Sequence, residues 1–137
     1  MKKLFTKILV AIILFFPLTI IAQTNHTVVV GPGNYYSPSN LTISPGDLVN
    51  WVSEGGYHDV NFNTNSITGE SFGNPSEIAN ASLPTQGAGQ MGSITFNDPG
   101  TYHYDCSVGS HAAMGMVGSI TVLSNQSITV VDVVVNS

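Results

Sequence analysis

Basic residues are almost absent from this sequence. It contains three lysines and no arginine in 137 residues, and Lys2, Lys3 and Lys7 all lie at the N-terminus. Beyond residue 7 no Lys or Arg side chain remains to neutralise phosphate, which excludes nucleic-acid binding. Side-chain ion pairs are excluded in the same region unless a histidine is protonated. The chain carries eight acidic residues, so its partners are not expected to be acidic.

Cysteine is also scarce, since Cys106 is the only one in the chain. A single cysteine cannot form an internal disulfide bond. Three interpretations remain for this residue: a buried bystander, an intermolecular link, or a thiolate that is reactive or bound to a metal.

One long apolar run follows the lysines, at residues 8–22. This layout is typical of a secretory signal peptide, so we expect residues 1–22 to be removed and the protein to be periplasmic, extracellular or on the cell surface. Cleavage there would remove the three lysines and take the formal net charge from −5 to −8. Ile20 stands where a small side chain is usual, so an uncleaved N-terminal segment that tethers the protein to a membrane is the alternative.

The remainder of the chain consists of short segments rich in Val, Ile, Thr and Tyr, separated by Gly, Pro, Asn and Ser. This pattern predicts an all-β sandwich or barrel, and the length suits one domain, which we place at 23–124. The segments at 40–43 and 48–52 look like a hairpin pair, and Trp51 is the expected core anchor. The predicted strands are 26–30, 40–43, 48–52, 58–62, 92–96, 101–106 and 117–123.

Two segments depart from this strand pattern. Residues 63–90 are polar and irregular, and Asn74, Pro75 and Glu77 resemble a capped helix start, which predicts one short helix at 75–81. The tail at 125–137 is apolar on both strand faces. We expect it to pack or pair somewhere, either in this sandwich or on a partner.

The most informative residues for function are Cys106, His111 and Met116. Thiolate, imidazole and thioether are soft or borderline ligands, and two histidines, one cysteine and a weak axial methionine are typical of a blue copper electron-transfer site. Met114 is an alternative to Met116, although it could instead fill the core or belong to a surface patch. A second histidine ligand is still needed.

The alternation of side chains between the two faces of the strand before Cys106 narrows the choice of the second histidine ligand. His103 lies on the opposite strand face from Cys106, so we expect it to be a surface residue. His26 lies in the first strand, away from the loop. His58 follows a flexible Gly-Gly turn and opens a strand, so its side chain can reach the same end of the sandwich.

The sequence resembles the cupredoxins, the type 1 copper proteins that include plastocyanin, auracyanin and rusticyanin. The resemblance covers nearly the whole segment after the apolar run, and it implies a Greek-key β-sandwich with one copper ion that cycles between Cu(I) and Cu(II). It also implies that His58, Cys106 and His111 are equatorial ligands and that Met116 is axial. The motifs that carry it are Ser-Pro-Gly-Asp to Trp at 44–51, Tyr-His-Asp-Val at 57–60, Pro-Gly-Thr-Tyr at 99–102 and the loop at 106–118.

Two positions depart from the plastocyanin pattern. Asp105 stands where plastocyanin has a tyrosine that serves as a remote route for electrons. Asp59 stands where plastocyanin often has asparagine after the first ligand histidine. An aspartate there could still accept backbone N–H bonds from the ligand loop, and it would add negative charge near copper.

The ligand set indicates an electron carrier rather than an enzyme. Only His26 and His103 are left over, which is too few for a further copper cluster. We expect electrons to pass through the edge of His111, surrounded by an apolar docking collar drawn from Tyr57, Ala112, Ala113, Met114 and Gly115. The acidic composition favours a redox partner with a basic docking face, such as a cytochrome or an oxidase. The alternatives are copper storage or delivery, and electron supply to a separate copper enzyme.

Overall fold

Short strands account for the regular structure of the chain. The computed structural model describes residues 22–78, 82–84 and 87–124. Nine strands form within these residues. Their bounds are β1 (Asn25–Val30), β2 (Tyr36–Ser37), β3 (Asn40–Ile43), β4 (Asp47–Ser53), β5 (Asp59–Asn61), β6 (Ser82–Pro84), β7 (Gly89–Phe96), β8 (Gly100–Asp105) and β9 (Val117–Val122).

The strands form two sheets, which confirms the predicted all-β class. The four-stranded sheet has the order β2-β1-β4-β7, and the five-stranded sheet has the order β3-β9-β8-β5-β6. Two pairs are parallel, β1 with β4 and β3 with β9. The strands that flank the site, β8 and β9, run antiparallel, with Asp105 opposite Val117.

The core lies between the sheets and is rich in aromatic rings. Along β4 every second residue is buried, so Trp51 points inward and is fully covered. Its ring meets those of Phe62 and Tyr104 edge-on, with centroids 5.7 Å apart in both pairs. Such pairs contribute about 0.5–1.5 kcal/mol each beyond the area they bury. The expected role of Trp51 as a core anchor is confirmed, and its contact with Tyr104 joins β4 of one sheet to β8 of the other.

The hairpin predicted for 40–43 and 48–52 is wrong. Both strands exist, but β3 pairs with β9 in one sheet while β4 pairs with β1 and β7 in the other. The turn between them therefore carries the chain across the sandwich. It is closed by Asp47, whose side chain accepts the N–H of Ser44 at 3.0 Å.

The helix predicted at 75–81 is wrong over its described part, residues 75–78, which are irregular. The reason lies in Asn74, whose side chain bonds across to β8 instead of capping the residues that follow it. Its Oδ1 accepts the N–H of His103 at 2.7 Å, and its Nδ2 donates to the carbonyl oxygens of His103 and Phe62. Residues 79–81, the predicted signal peptide apart from Ala22, and the tail at 125–137 lie outside the described residues.

In the part of the chain that the structure describes, no helix has the length and apolar character needed to cross a membrane.

Candidate metal centre

The end of β8 and the loop after it deliver most of the site. Cys106 follows β8 directly, and its N–H donates to the carbonyl oxygen of Met116 at 3.1 Å. Within the loop, the carbonyl oxygen of His111 accepts the N–H of Met114 at 3.1 Å and that of Met116 at 3.0 Å. These bonds close the loop on itself, so Cys106, His111 and Met116 are held at one end of the sandwich.

Three donor atoms converge there: the Nδ1 atoms of His58 and His111, and the Sγ atom of Cys106. The two Nδ1 atoms are 3.2 Å apart. The Sγ atom of Cys106 is 4.0 Å from Nδ1 of His58 and 3.5 Å from Nδ1 of His111. A point inside this triangle is about 2.1 Å from all three atoms, and metal bonds to imidazole nitrogen and thiolate sulfur are about 2.0–2.3 Å long. The donor set therefore fits a copper ion in both chemistry and spacing.

His58 is 2% exposed and is surrounded by backbone. Its Nε2 lies 3.5 Å from the carbonyl oxygen of Pro32, which leaves Nδ1 facing the other two donors. Two glycines make room for the ring. A Cβ atom on Gly56 would lie 2.5 Å from Nε2, and one on Gly31 would lie 2.9 Å from Cδ2. Both have positive φ, so side chains are disfavoured there twice over.

Burial distinguishes the two candidate methionines. Met116 is fully buried and belongs to the same packed cluster as Cys106. Met114 is 57% exposed, and its sulfur lies 3.7 Å from Nδ2 of Asn34. The structure therefore favours Met116 as the thioether for the site and leaves Met114 on the surface.

Burial also governs protonation at the site. Desolvation raises the pKa of the Cys106 thiol above its usual value, although backbone hydrogen bonds from Asp59 and Val108 oppose the shift. Without a metal cation the sulfur is therefore protonated at neutral pH, and metal binding must displace that proton. Burial likewise raises the pKa of Tyr36, so it stays neutral, and its hydroxyl donates to the carbonyl oxygen of Asp59 at 2.5 Å.

The residues on both sides of Cys106 are tied to β5 and its continuation. Asp59 accepts the N–H of Ser107 at 2.6 Å and also the Ser107 hydroxyl, which confirms that an aspartate at this position can bond the ligand loop. Asp105 is 1% exposed and accepts hydrogen bonds from Asn61 and Ser66. Sequence reasoning missed Asn61 and Ser66, because nothing in the strand pattern showed which loop covers Asp105.

Four of the five residues expected in the docking collar are exposed, and one is buried. Tyr57 is 73% exposed, and Ala113, Met114 and Gly115 are also exposed. Ala112 is only 4% exposed, so its assignment to the collar is wrong. The compact turn between His111 and Met116 points this one side chain inward.

The two remaining histidines lie outside the site, as expected. His103 is exposed on the outer face of β8. His26 lies at the start of β1, and its Nε2 is 3.0 Å from the carboxylate of Asp47. The structure thus brings His58 and His111 to the cysteine and keeps His26 and His103 away from it.

Two packed sheets with a Cys-His-His triangle and a buried methionine at one end define a cupredoxin. The sequence profile of the copper binding proteins, plastocyanin/azurin family, matches residues 22–123. The chain belongs to this family, whose members carry electrons, and copper is its cofactor.

Individual relatives agree with this assignment. Plastocyanin of Prochlorothrix hollandica is 40% identical over 88 residues, which are 64% of this chain and 62% of that protein. Plastocyanin of Scenedesmus fuscus is 32% identical over 88 residues, which are 64% of this chain and 85% of that protein. A solved pseudoazurin from Sinorhizobium meliloti shares the fold, with a TM-score of 0.51 and 21% identity over 74% of this chain and 76% of that one.

Proposed function

We propose that this chain is an exported type 1 copper protein that carries single electrons between redox partners. Its ligands are His58, Cys106 and His111, with Met116 axial. The observation that carries the proposal is the triangle of two Nδ1 atoms and one Sγ atom, whose centre lies at metal-bond distance from each.

The ligands are held by the protein itself rather than by the metal. His58 is enclosed by Gly31, Gly56 and Pro32, and the loop from Cys106 to Met116 is closed by backbone hydrogen bonds. Bound copper supplies the one-electron chemistry. Because the donors are fixed in a packed sandwich, they change little between the two oxidation states, and this suits rapid exchange rather than storage.

The solvent-facing edge of the site is His111. Of the four proposed ligands it alone is partly exposed, whereas His58, Cys106 and Met116 are buried. The collar residues that we propose to surround it, Tyr57, Ala113, Met114 and Gly115, are all exposed. We assign the passage of electrons to this edge, because a partner that docks there comes closest to a ligand ring.

Charge and the N-terminal segment complete the proposal. Beyond residue 7 the sequence has no lysine or arginine, and it has eight acidic residues, so the partner is a redox protein with a basic docking face, such as a cytochrome or an oxidase. Residues 1–22 serve for export, with the protein periplasmic or extracellular. A membrane tether follows if that segment is kept.

Electron exchange with a basic cytochrome tests this function. We expect stopped-flow mixing of the reduced, copper-loaded protein with an oxidised basic cytochrome to give fast transfer that slows as salt is added. Tight copper binding with no exchange would instead indicate storage or delivery. Exchange only with a separate copper enzyme would indicate an electron-donor module, and zinc in the protein as isolated would contradict the copper assignment.

A further inference from the structure

Strand β5 contacts the residues on both sides of the cysteine. Asp59, at one end of β5, bonds Ser107, and Asn61, at the other end, bonds Asp105. Asn61 and Asp105 are also the register partners that join β5 to β8. Cys106 therefore lies between two side-chain contacts from the strand that begins immediately after His58.

The first contact places a carboxylate beside the cysteine. Both oxygens of Asp59 are used, one by the N–H of Ser107 at 2.6 Å and the other by its hydroxyl. A neutral asparagine could accept the same N–H, so a carboxylate is not needed to hold the loop. Its charge is the additional property.

The second contact buries another carboxylate. Asp105 is 1% exposed, and its donors are Nδ2 of Asn61 at 2.8 Å, the N–H of Ser66 at 2.6 Å and Oγ of Ser66 at 2.9 Å. All these groups can donate to an acceptor-only carboxylate. No lysine or arginine occurs in the described residues, so no cationic Lys or Arg side chain offsets this charge.

We propose that Asp59 and Asp105 are positioning residues whose charges, one on each side of Cys106, stabilise cupric over cuprous copper and set a low reduction potential. The proposal rests on the proposed ligand set. Adding one electron to Cu(II) removes one unit of positive charge from the site, so nearby negative charge opposes that step. The carrier would then release electrons more readily than a relative with neutral side chains at these positions.

The test compares reduction potentials of copper-loaded variants at pH 7 and fixed salt. We expect Asp59→Asn to shift the one-electron equilibrium toward Cu(I) by about tenfold, which is 59 mV. Asp105→Asn should shift it in the same direction. The matched control is Asp98→Asn, an identical chemical change at an exposed site beside the start of β8, about 20 Å along the strand from Cys106. It should leave the potential unchanged.

A second control separates charge from hydrogen bonding. Ser107→Ala removes the hydroxyl donor to Asp59 and keeps the carboxylate, so its potential should move much less than that of Asp59→Asn. Equal shifts in the two variants would overturn the proposal, as would an Asp59→Asn protein that stays blue with the potential of the wild type. Asp59 is only partly buried, so this variant remains decisive if Asp105→Asn fails to fold. A colourless wild-type protein would instead contradict the proposed function itself.

Discussion

The two ends of the sandwich use histidine in opposite ways. At the metal end, His58 and His111 face each other and the sulfur of Cys106. At the other end, His26 faces the carboxylate of Asp47.

The second arrangement is a closed set of hydrogen bonds, which we call the Asp47 cluster: Asp47, His26, Thr24 and Ser44. The carboxylate accepts the N–H groups of Thr24 and Ser44 and lies 3.0 Å from His26. Both oxygens of the Asp47 carboxylate have hydrogen-bond partners within the fold, so the cluster contributes stability. At the metal end, none of the three donors forms an ion pair with another. They converge on one point instead, and this convergence is what a metal site requires.

The largest expected effect is on copper binding, which depends on the metal end of the sandwich and not on the Asp47 cluster. Cys106→Ala removes the thiolate, so copper affinity should fall by orders of magnitude and the intense blue absorption should disappear. Asp47→Ala should keep the blue colour. Optical spectra and metal analysis of both variants check this. A Cys106→Ala protein that stays blue would show that Cys106 is not a copper ligand.

The next effect concerns stability and pH. Burial opposes ionisation of Asp47, but hydrogen bonds from His26, Thr24 and Ser44 prevail and hold its pKa below the ordinary 3.8. A lowered pKa in the folded state stabilises the fold above pH 3.8, and this contribution is lost as pH falls through the folded value.

Asp47→Ala should therefore lower the free energy of unfolding at pH 7 by roughly 1–3 kcal/mol. The difference from the wild type should shrink below pH 3.8. Thermal unfolding of both apoproteins between pH 7 and pH 2.5 measures it. A gap that stays constant across this range would show that ionisation of Asp47 does not contribute.

A smaller effect distinguishes Met116 from Met114 as the axial ligand. Met116→Leu should change the copper spectrum and raise the reduction potential, since a weak sulfur ligand tunes both. Its cost in apoprotein stability should stay below about 1.5 kcal/mol, because the volumes are similar. Met114→Leu is the matched control and should change neither property. The reverse result would assign the axial position to Met114.

The smallest effect concerns docking at the metal end. Ala113→Lys places a positive charge in the exposed collar, where both an apolar contact and a basic docking face of the partner are expected. Exchange with a partner protein should slow several-fold while the spectrum stays the same. Ala112→Lys differs because Ala112 is buried, so it should reduce stability as well. Unchanged exchange in Ala113→Lys would mean that electrons do not leave through the edge of His111.

The sequence alone predicted the parts of this molecule that depend on local pattern. Alternation located β1, β3, β4, β5, β7, β8 and β9, and the spacing of Cys106, His111 and Met116 indicated the metal. The two- and three-residue strands β2 and β6 are too short for alternation to be seen. The false hairpin arose because a turn motif does not show whether the chain returns to the same sheet.

Contacts between distant segments were the harder part. By alternation Asp105 shares the face of His103 on β8, yet Asp105 is covered by Asn61 and Ser66 while His103 is exposed. The sequence around Asn74 resembles a helix cap, but in the structure the Asn74 side chain forms its hydrogen bonds with β8. In each case the contact is made by a residue that is distant in the sequence, and the local sequence pattern does not show that contact.

The most direct measurement is the optical and EPR spectrum of the copper-loaded wild-type protein. With the thiolate of Cys106 and the imidazoles of His58 and His111 around one ion, we expect an intense blue band and a single type 1 copper signal that vanishes on reduction. A correctly folded, copper-loaded protein that is colourless and does not respond to reductant would contradict the account.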